Sequence, residues 1–158
     1  MMARVTILSV LGLSLAACKQ DQPCVIDAAI TGGCGVELSD DALRIGDDLD
    51  AMVGTHGEPS WAELGSAGGQ FVYADLGVTG FSRDGLVVDS LRVAEPFGGT
   101  TADGLGVGVA ILEVSRTLGA GQGSPWVQLN WQLARGLGFE YGDDTITRVH
   151  IVPPQDPW

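Results

Sequence analysis

Two arginines and a histidine have the residue types and spacing to recognise a partner. Arg148 and His150 are two residues apart in an alternating segment, so a strand would place both side chains on one face. Arg92 occupies the position equivalent to His150 in an earlier segment with a similar pattern. Tryptophan and arginine dominate the energetics of many protein interfaces. Together with residues from a second alternating segment they form a candidate interaction face, which comprises Arg92, Trp126, Gln128, Asn130, Arg148 and His150. The alternative is an ordinary solvated sheet face.

Other reactive side chains fit structural roles better than catalytic ones. His56 lies on the apolar side of a helical pattern, which is typical of a half-buried packing residue. Asp47, Asp48 and Asp50 suit the start of that helix, whereas a calcium loop needs a longer run of oxygen ligands. The glycines around Gly106 lack the lysine and hydroxyl residue of a phosphate-binding loop. We therefore predict no catalytic residue, no metal site and no cofactor, and we expect that the protein is not an enzyme.

The strands that would carry the candidate face follow two similar stretches of the chain. Residues 43–57 and 105–119 each contain a glycine, then apolar residues at helical spacing, then a closing glycine. This pattern predicts a short amphipathic helix in each stretch, at roughly 47–57 and 109–118. Gly-rich loops are expected after both helices, at 60–69 and around Gly121. The alternating segments that follow predict strands, among them 70–74, 78–82, 86–94 and 126–133.

This repeated order predicts an α+β fold of two tandem helix-plus-antiparallel-sheet (αβββ) units, with chance similarity among Gly-rich segments as the alternative. Ser39 is expected to cap one helical turn at 40–43. The predicted division is a lipoprotein signal peptide at 1–17, a lipidated and disulfide-stapled tether at 18–42, a first unit at 43–98, and a second unit with a short tail at 99–158.

The repeated frame also carries a resemblance to known proteins. The spacing Leu-x-x-Gly, an apolar stripe and a second glycine, at 43–57 and 105–119, resembles small bacterial envelope lipoproteins of the SmpA/OmlA (BamE) type. It is also similar to the duplicated fold of the β-lactamase inhibitory protein. The second copy departs from the pattern, since Val109 stands where the first copy has Asp47. The resemblance implies a helical segment that leads into an antiparallel sheet, and contact with other proteins through the sheet face or loops.

The N-terminus has the features of a lipoprotein export signal. Arg4 precedes a short apolar run, and Leu15-Ala16-Ala17-Cys18 resembles a bacterial lipobox. We therefore expect cleavage before Cys18 and its lipidation, palmitate included, with a plain secretory signal as the alternative. Lys19 after the cysteine resembles the enterobacterial pattern for sorting to the outer membrane. The expected location is the outer membrane, with a lipid anchor and the folded part facing the periplasm.

Cys24 and Cys34 form an even pair in a chain predicted to be exported. An oxidising compartment favours a disulfide between them. Free or metal-binding thiols are the alternative, although no histidine lies near the pair in the sequence.

The charge balance limits the classes of partner. Twenty acidic residues and eight basic ones give a formal net charge of −12. This argues against nucleic acid as a partner and against electrostatic adhesion to anionic lipid. The predicted function is a non-catalytic protein-interaction or assembly module, whose partner is another envelope protein. The alternatives are a proteinaceous inhibitor of an extracytoplasmic enzyme and, from another class, a small hydrolase or ligand-binding protein.

Overall fold

The structure is a computed structural model that describes residues 24–39, 41–124 and 128–155. Of the described residues, 43% lie in strands and 17% in helices. In chain order the elements are β1 (Ile30–Thr31), β2 (Gly35–Leu38), β3 (Asp41–Arg44), α1 (Leu49–His56), β4 (Trp61–Gly65), β5 (Gly68–Tyr73), β6 (Val78–Ser82), β7 (Ser90–Ala94), α2 (Ile111–Leu118), β8 (Gln122–Ser124), β9 (Leu129–Gln132), β10 (Leu137–Gly142) and β11 (Thr145–Ile151). Short 3-10 turns at Ala74–Leu76 and Leu133–Arg135 join β5 to β6 and β9 to β10.

The strands form two antiparallel sheets. Strands β1, β2 and β3 make a small sheet in that order. The other eight make one large sheet in the order β4-β5-β6-β7-β11-β10-β9-β8. Its centre is the pairing of β7 with β11, where Val93 lies opposite Val149 and Leu91 lies opposite Ile151. All four of these side chains are buried, so apolar packing sets this register.

The prediction of an α+β fold made of two αβββ units is wrong. The protein is mostly β, with two helices among the described residues and a single eight-stranded sheet. Strands that follow α1 and strands that follow α2 hydrogen-bond to each other across the β7–β11 pair. The apolar residues of the two similar stretches therefore pack into one buried cluster.

Two strands were predicted as loops because they lack an alternating pattern. All five residues of β4 are exposed, so neither face of this strand needs apolar side chains. Strand β8 is only three residues long. Both are edge strands of the large sheet. An edge strand is held by main-chain hydrogen bonds to one neighbouring strand. These two strands therefore lack the alternation of apolar and polar residues, with a period of two, by which a half-buried strand is identified.

One face of the large sheet packs against both helices and the small sheet. The helices contribute Leu49, Met52 and Val114 to the buried cluster, and Ile111 and Leu118 pack at its margin. The largest fully buried side chains from the large sheet include Phe71, Phe139, Leu91, Ile146 and Ile151. The opposite face of the sheet is therefore the one on which a binding site can be built.

Helix α1 begins as its acidic residues predict, one position later than expected. Asp48 is the N-cap, and its side chain accepts a hydrogen bond from the Ala51 backbone N–H at 2.9 Å. Asp47, the predicted cap, accepts from the Arg44 N–H at 2.7 Å. The carboxylates therefore satisfy backbone donors that the first helical turn leaves free.

The segment predicted as a tether contributes to the same core. Its predicted helical turn at 40–43 is wrong, because Asp41–Arg44 is strand β3; Asp40 lies outside the described residues. Ile30, Val36 and Leu38 are buried in the cluster shared with the large sheet. The Ile30 backbone N–H also donates to the Thr100 carbonyl at 3.0 Å.

Cys24 and Cys34 are joined by a disulfide bond, with their Cα atoms 5.5 Å apart and a sequence separation of 10. In the chain-entropy description, closing so short a loop stabilises a protein by about 2.5–3 kcal/mol. We expect reduction to lower the free energy of unfolding by about this amount, measured by urea denaturation with and without dithiothreitol. A Cys24→Ser, Cys34→Ser double variant should have the same free energy of unfolding as the reduced protein, and dithiothreitol should not change it. A midpoint that does not move on reduction would contradict this.

Candidate functional site

A single row of side chains crosses the uncovered face of the large sheet. We call this surface the open face. Each residue of the row lies directly opposite the next in the strand register, from one edge strand to the other. Directly opposed residues of antiparallel strands have neighbouring side chains. The row is Trp61, Val72, Thr79, Arg92, His150, Gly138, Trp131 and Gln122.

Trp131 and His150 stack over a glycine at one side of this row. Their ring centroids are 5.6 Å apart, with the ring planes tilted by 49°. Gly138 lies between them in the register, and a Cβ atom built there would lie 2.5 Å from the Trp131 ring. Because Gly138 has no side chain, the Trp131 ring has room above it and lies beside the imidazole.

Glu140 binds both basic residues of β11. One carboxylate oxygen is ion-paired with Arg148, and the other lies 3.3 Å from His150 Nε2. Burial raises the pKa of Glu140, but the hydrogen bonds from His150 and Arg148 and their charges outweigh it, and the net pKa is below the ordinary value. This residue is therefore the ionised centre of a three-residue network.

Arg92 lies on the other side of His150. Its guanidinium carbon is 5.3 Å from the centroid of the Phe81 ring, in cation–π geometry. Its burial lowers the pKa of Arg92, the charge of Arg148 lowers it further, and Glu140 raises it. The guanidinium nevertheless stays charged at neutral pH. Trp131, His150, Arg92 and Phe81 thus form a packed ribbon over five adjacent strands.

The structure brings together three of the six residues predicted for the interaction face. Arg92, Arg148 and His150 share the open face, as their alternation predicts. Gln128 is exposed at a left-handed position (φ 47°) just before β9. Asn130 points to the opposite side, because it lies opposite buried Phe139. Trp126 lies outside the described residues, as does Cys18.

Three residues of the open face were missed from the sequence: Trp131, Phe81 and Glu140. The predicted interaction face takes Gln128 and Asn130 from the segment around β9, and alternation places Trp131 on the other side of the strand. In the structure Gln132 is buried, and its side-chain amide donates to the Gly119 carbonyl at 3.3 Å and to Asn130 Oδ1 at 3.1 Å. The Gln132 amide thus hydrogen-bonds to the carbonyl at the end of α2, and Trp131, its neighbour in the strand, faces outward. The sequence shows that β9 alternates, but it does not show which set of side chains faces the core.

The acidic residues beside His56 provide no comparable constellation. Asp41, Asp47 and Asp48 line a shallow cleft with His56, but each carboxylate accepts a hydrogen bond from a backbone N–H nearby. Across residues 24–39, 41–124 and 128–155, no group of three His, Cys, Asp or Glu side chains is placed to hold a metal ion. The open face is therefore the strongest candidate site.

Comparison with protein families, with curated proteins and with solved structures found no match to this chain. The resemblance to envelope lipoproteins and to the inhibitory protein fold stays a prediction. Within the described part of the chain, no helix has the length and apolar character needed to cross a membrane.

The environment of His150 predicts a pH-dependent stability. Burial lowers its pKa, with Arg92 and Arg148 acting in the same direction and Glu140 opposing them. At pH values just below the ordinary histidine pKa of about 6.5, His150 therefore binds a proton more readily in the unfolded chain than in the folded one. We expect the free energy of unfolding to fall as the pH decreases from about 7.5 to about 5.5. Glu140, whose pKa is lowered, extends the loss below its own ordinary value.

Urea denaturation at a series of pH values measures this effect. His150→Gln should flatten the dependence between about pH 7.5 and 5.5, whereas His56→Gln should retain it. A slope that is the same in both variants would show that another group is responsible.

Proposed function

We propose that this protein is a lipid-anchored envelope lipoprotein that binds another protein through the open face of its large sheet. The observation that carries the proposal is the packed ribbon of Trp131, His150, Arg92 and Phe81. One uncovered face is common in antiparallel sheets, so openness by itself argues for nothing. Aromatic and arginine side chains held against one another are the types that dominate binding energy at protein interfaces.

The ribbon is held in place before any partner arrives. Trp131 rests on Gly138 and His150, Glu140 holds His150, and Phe81 supports Arg92. A side chain already held in its bound conformation loses less entropy on association, which raises the affinity that a given contact area provides.

The proposed anchor keeps the folded protein close to a membrane. Residues from Cys18 to Cys24 can span at most about 20 Å when extended. Cys24 is bonded to buried Cys34, which joins this end of the described chain to the buried core. Mass spectrometry of the mature N-terminus tests the anchor directly. Acyl mass on Cys18 is the expected result, and a free, unmodified Cys18 amine would refute it.

Photo-crosslinking in the producing cells tests the binding face. We expect p-benzoylphenylalanine in place of Phe81 to give a discrete adduct on illumination, because Phe81 lies beside Arg92 in the ribbon. The matched control carries the same probe in place of Leu112, which is 70% exposed on α2, outside the open face. Absence of an adduct from the Phe81 position, or the same adduct from both positions, would overturn the proposal.

A further inference from the structure

The open face differs in charge from the rest of this acidic protein. Its central strands carry two guanidinium groups, Arg92 and Arg148, against a single carboxylate, Glu140. The chain as a whole has twenty acidic residues and eight basic ones. A basic centre on an acidic surface is complementary to a small acidic feature of a partner, not to an extended polyanion.

Arg92 is the cation of this centre that remains available. Both oxygens of Glu140 are taken, one by Arg148 and the other by His150. Within the described chain, Arg92 has no carboxylate at ion-pair distance. It is half-buried, and it lies between Phe81 and His150, which limits its contact with water. A partly desolvated guanidinium with free donors gains most from a ligand that accepts two hydrogen bonds.

We propose that Arg92 docks the carboxylate of an aspartate or glutamate side chain of the partner protein, with apolar residues of the same segment covering Phe81 and Trp131. This inference rests on the proposed function, since it specifies the partner chemistry of the same face. The carboxylate lies against the guanidinium in a bidentate pair, and the two aromatic rings exclude water around it.

A protein carboxylate fits this site better than a nucleic acid or a membrane surface. Polyanions bind through many basic residues together, and the net charge of −12 repels them. A single carboxylate flanked by apolar side chains matches one available arginine flanked by aromatic rings. The local complementarity then outweighs the long-range repulsion, because that repulsion is screened beyond about 8 Å at physiological salt.

Defined peptides test the proposal on the purified full chain in detergent micelles. The probes are acetyl-Leu-Glu-Leu-amide and its twin acetyl-Leu-Gln-Leu-amide, with binding followed by the arginine Nε–H signals in NMR. We expect the glutamate peptide to bind about tenfold more tightly than the glutamine twin, and to shift the Arg92 signal. Arg92→Gln should abolish the difference. Arg83→Gln, at a side chain 82% exposed in a surface ion pair, should keep it.

Arg92→Lys keeps the charge without the planar fork, so it should lie between wild type and Arg92→Gln. Equal affinity for the two peptides, no saturable shift of the Arg92 signal, or a preference that survives in Arg92→Gln would each overturn the inference. Crosslinking from position 81 in the Arg92→Gln chain separates the two proposals. An undiminished adduct in the Arg92→Gln chain would support the proposed binding face but would overturn the role of Arg92. Loss of the adduct there, with wild type still forming it, supports that role.

Discussion

Phe71→Ala should lower the free energy of unfolding by about 3–5 kcal/mol, while Phe81→Ala should lower it by about 1–2 kcal/mol. The two phenylalanines lie on adjacent strands but on opposite faces of the large sheet. Phe71 is fully buried, packs edge-on against Tyr73 with centroids 6.1 Å apart, and covers Gly80. Its removal leaves a cavity that the rigid sheet cannot close.

Phe81 is the matched control because it is the same residue type on the open face. Its replacement removes the support of Arg92 but opens no cavity, since the side chain is partly exposed to water. Urea denaturation followed by circular dichroism measures both variants. Equal losses would show that the open face is packed as tightly as the core, which would contradict the assignment of the two faces.

Ile30→Ala should lower the free energy of unfolding by about 2–5 kcal/mol in the same assay. Ile30 is 1% exposed and packs in the cluster shared by the small sheet and the large one. A flexible tether would predict no change, because its side chains would be solvated in both states. The expected loss therefore measures whether the segment before α1 folds as part of the same cooperative unit.

Val25→Ala is the control for this second variant. Val25 lies in the same segment beside Cys24, but it is 72% exposed, so its truncation should change the free energy by less than about 0.5 kcal/mol. Both variants keep the disulfide, which removes loop closure as a difference between them. An unchanged midpoint in Ile30→Ala would restore the tether interpretation of this segment.

Local patterns in the sequence were enough to find the helices and several strands. The strand predicted at 78–82 is confirmed as β6, and the helix predicted at 109–118 is α2 with its start two residues later. Alternation at Arg148 and His150 placed both on one face, because Val149 and Ile151, which alternate with them, are buried on the other. These features depend on interactions between residues close in the chain.

The candidate site was less accessible to such reasoning. Strand β9 alternates between amides and large apolar residues, and either set could face the core. In the structure, the pairing of β9 with β10 places Asn130 opposite buried Phe139, and the buried Gln132 amide donates to the Gly119 carbonyl at the end of α2. This pairing places Trp131 on the open face, where Gly138 leaves room for its ring. The contacts of β9 with β10 and with the end of α2 join separate elements of the chain, so local sequence patterns do not predict them.

The sequence by itself determined the positions of both helices, the acidic charge, the pairing of Cys24 with Cys34 as the favoured disulfide, and which strand residues alternate. Tertiary structure alone decided that all eight later strands join one sheet, and that Arg92 and His150 become neighbours across β7 and β11. The physical reason is the range of the interactions. Helix caps and alternation act within a few residues, whereas strand pairing depends on which distant apolar faces bury one another most completely.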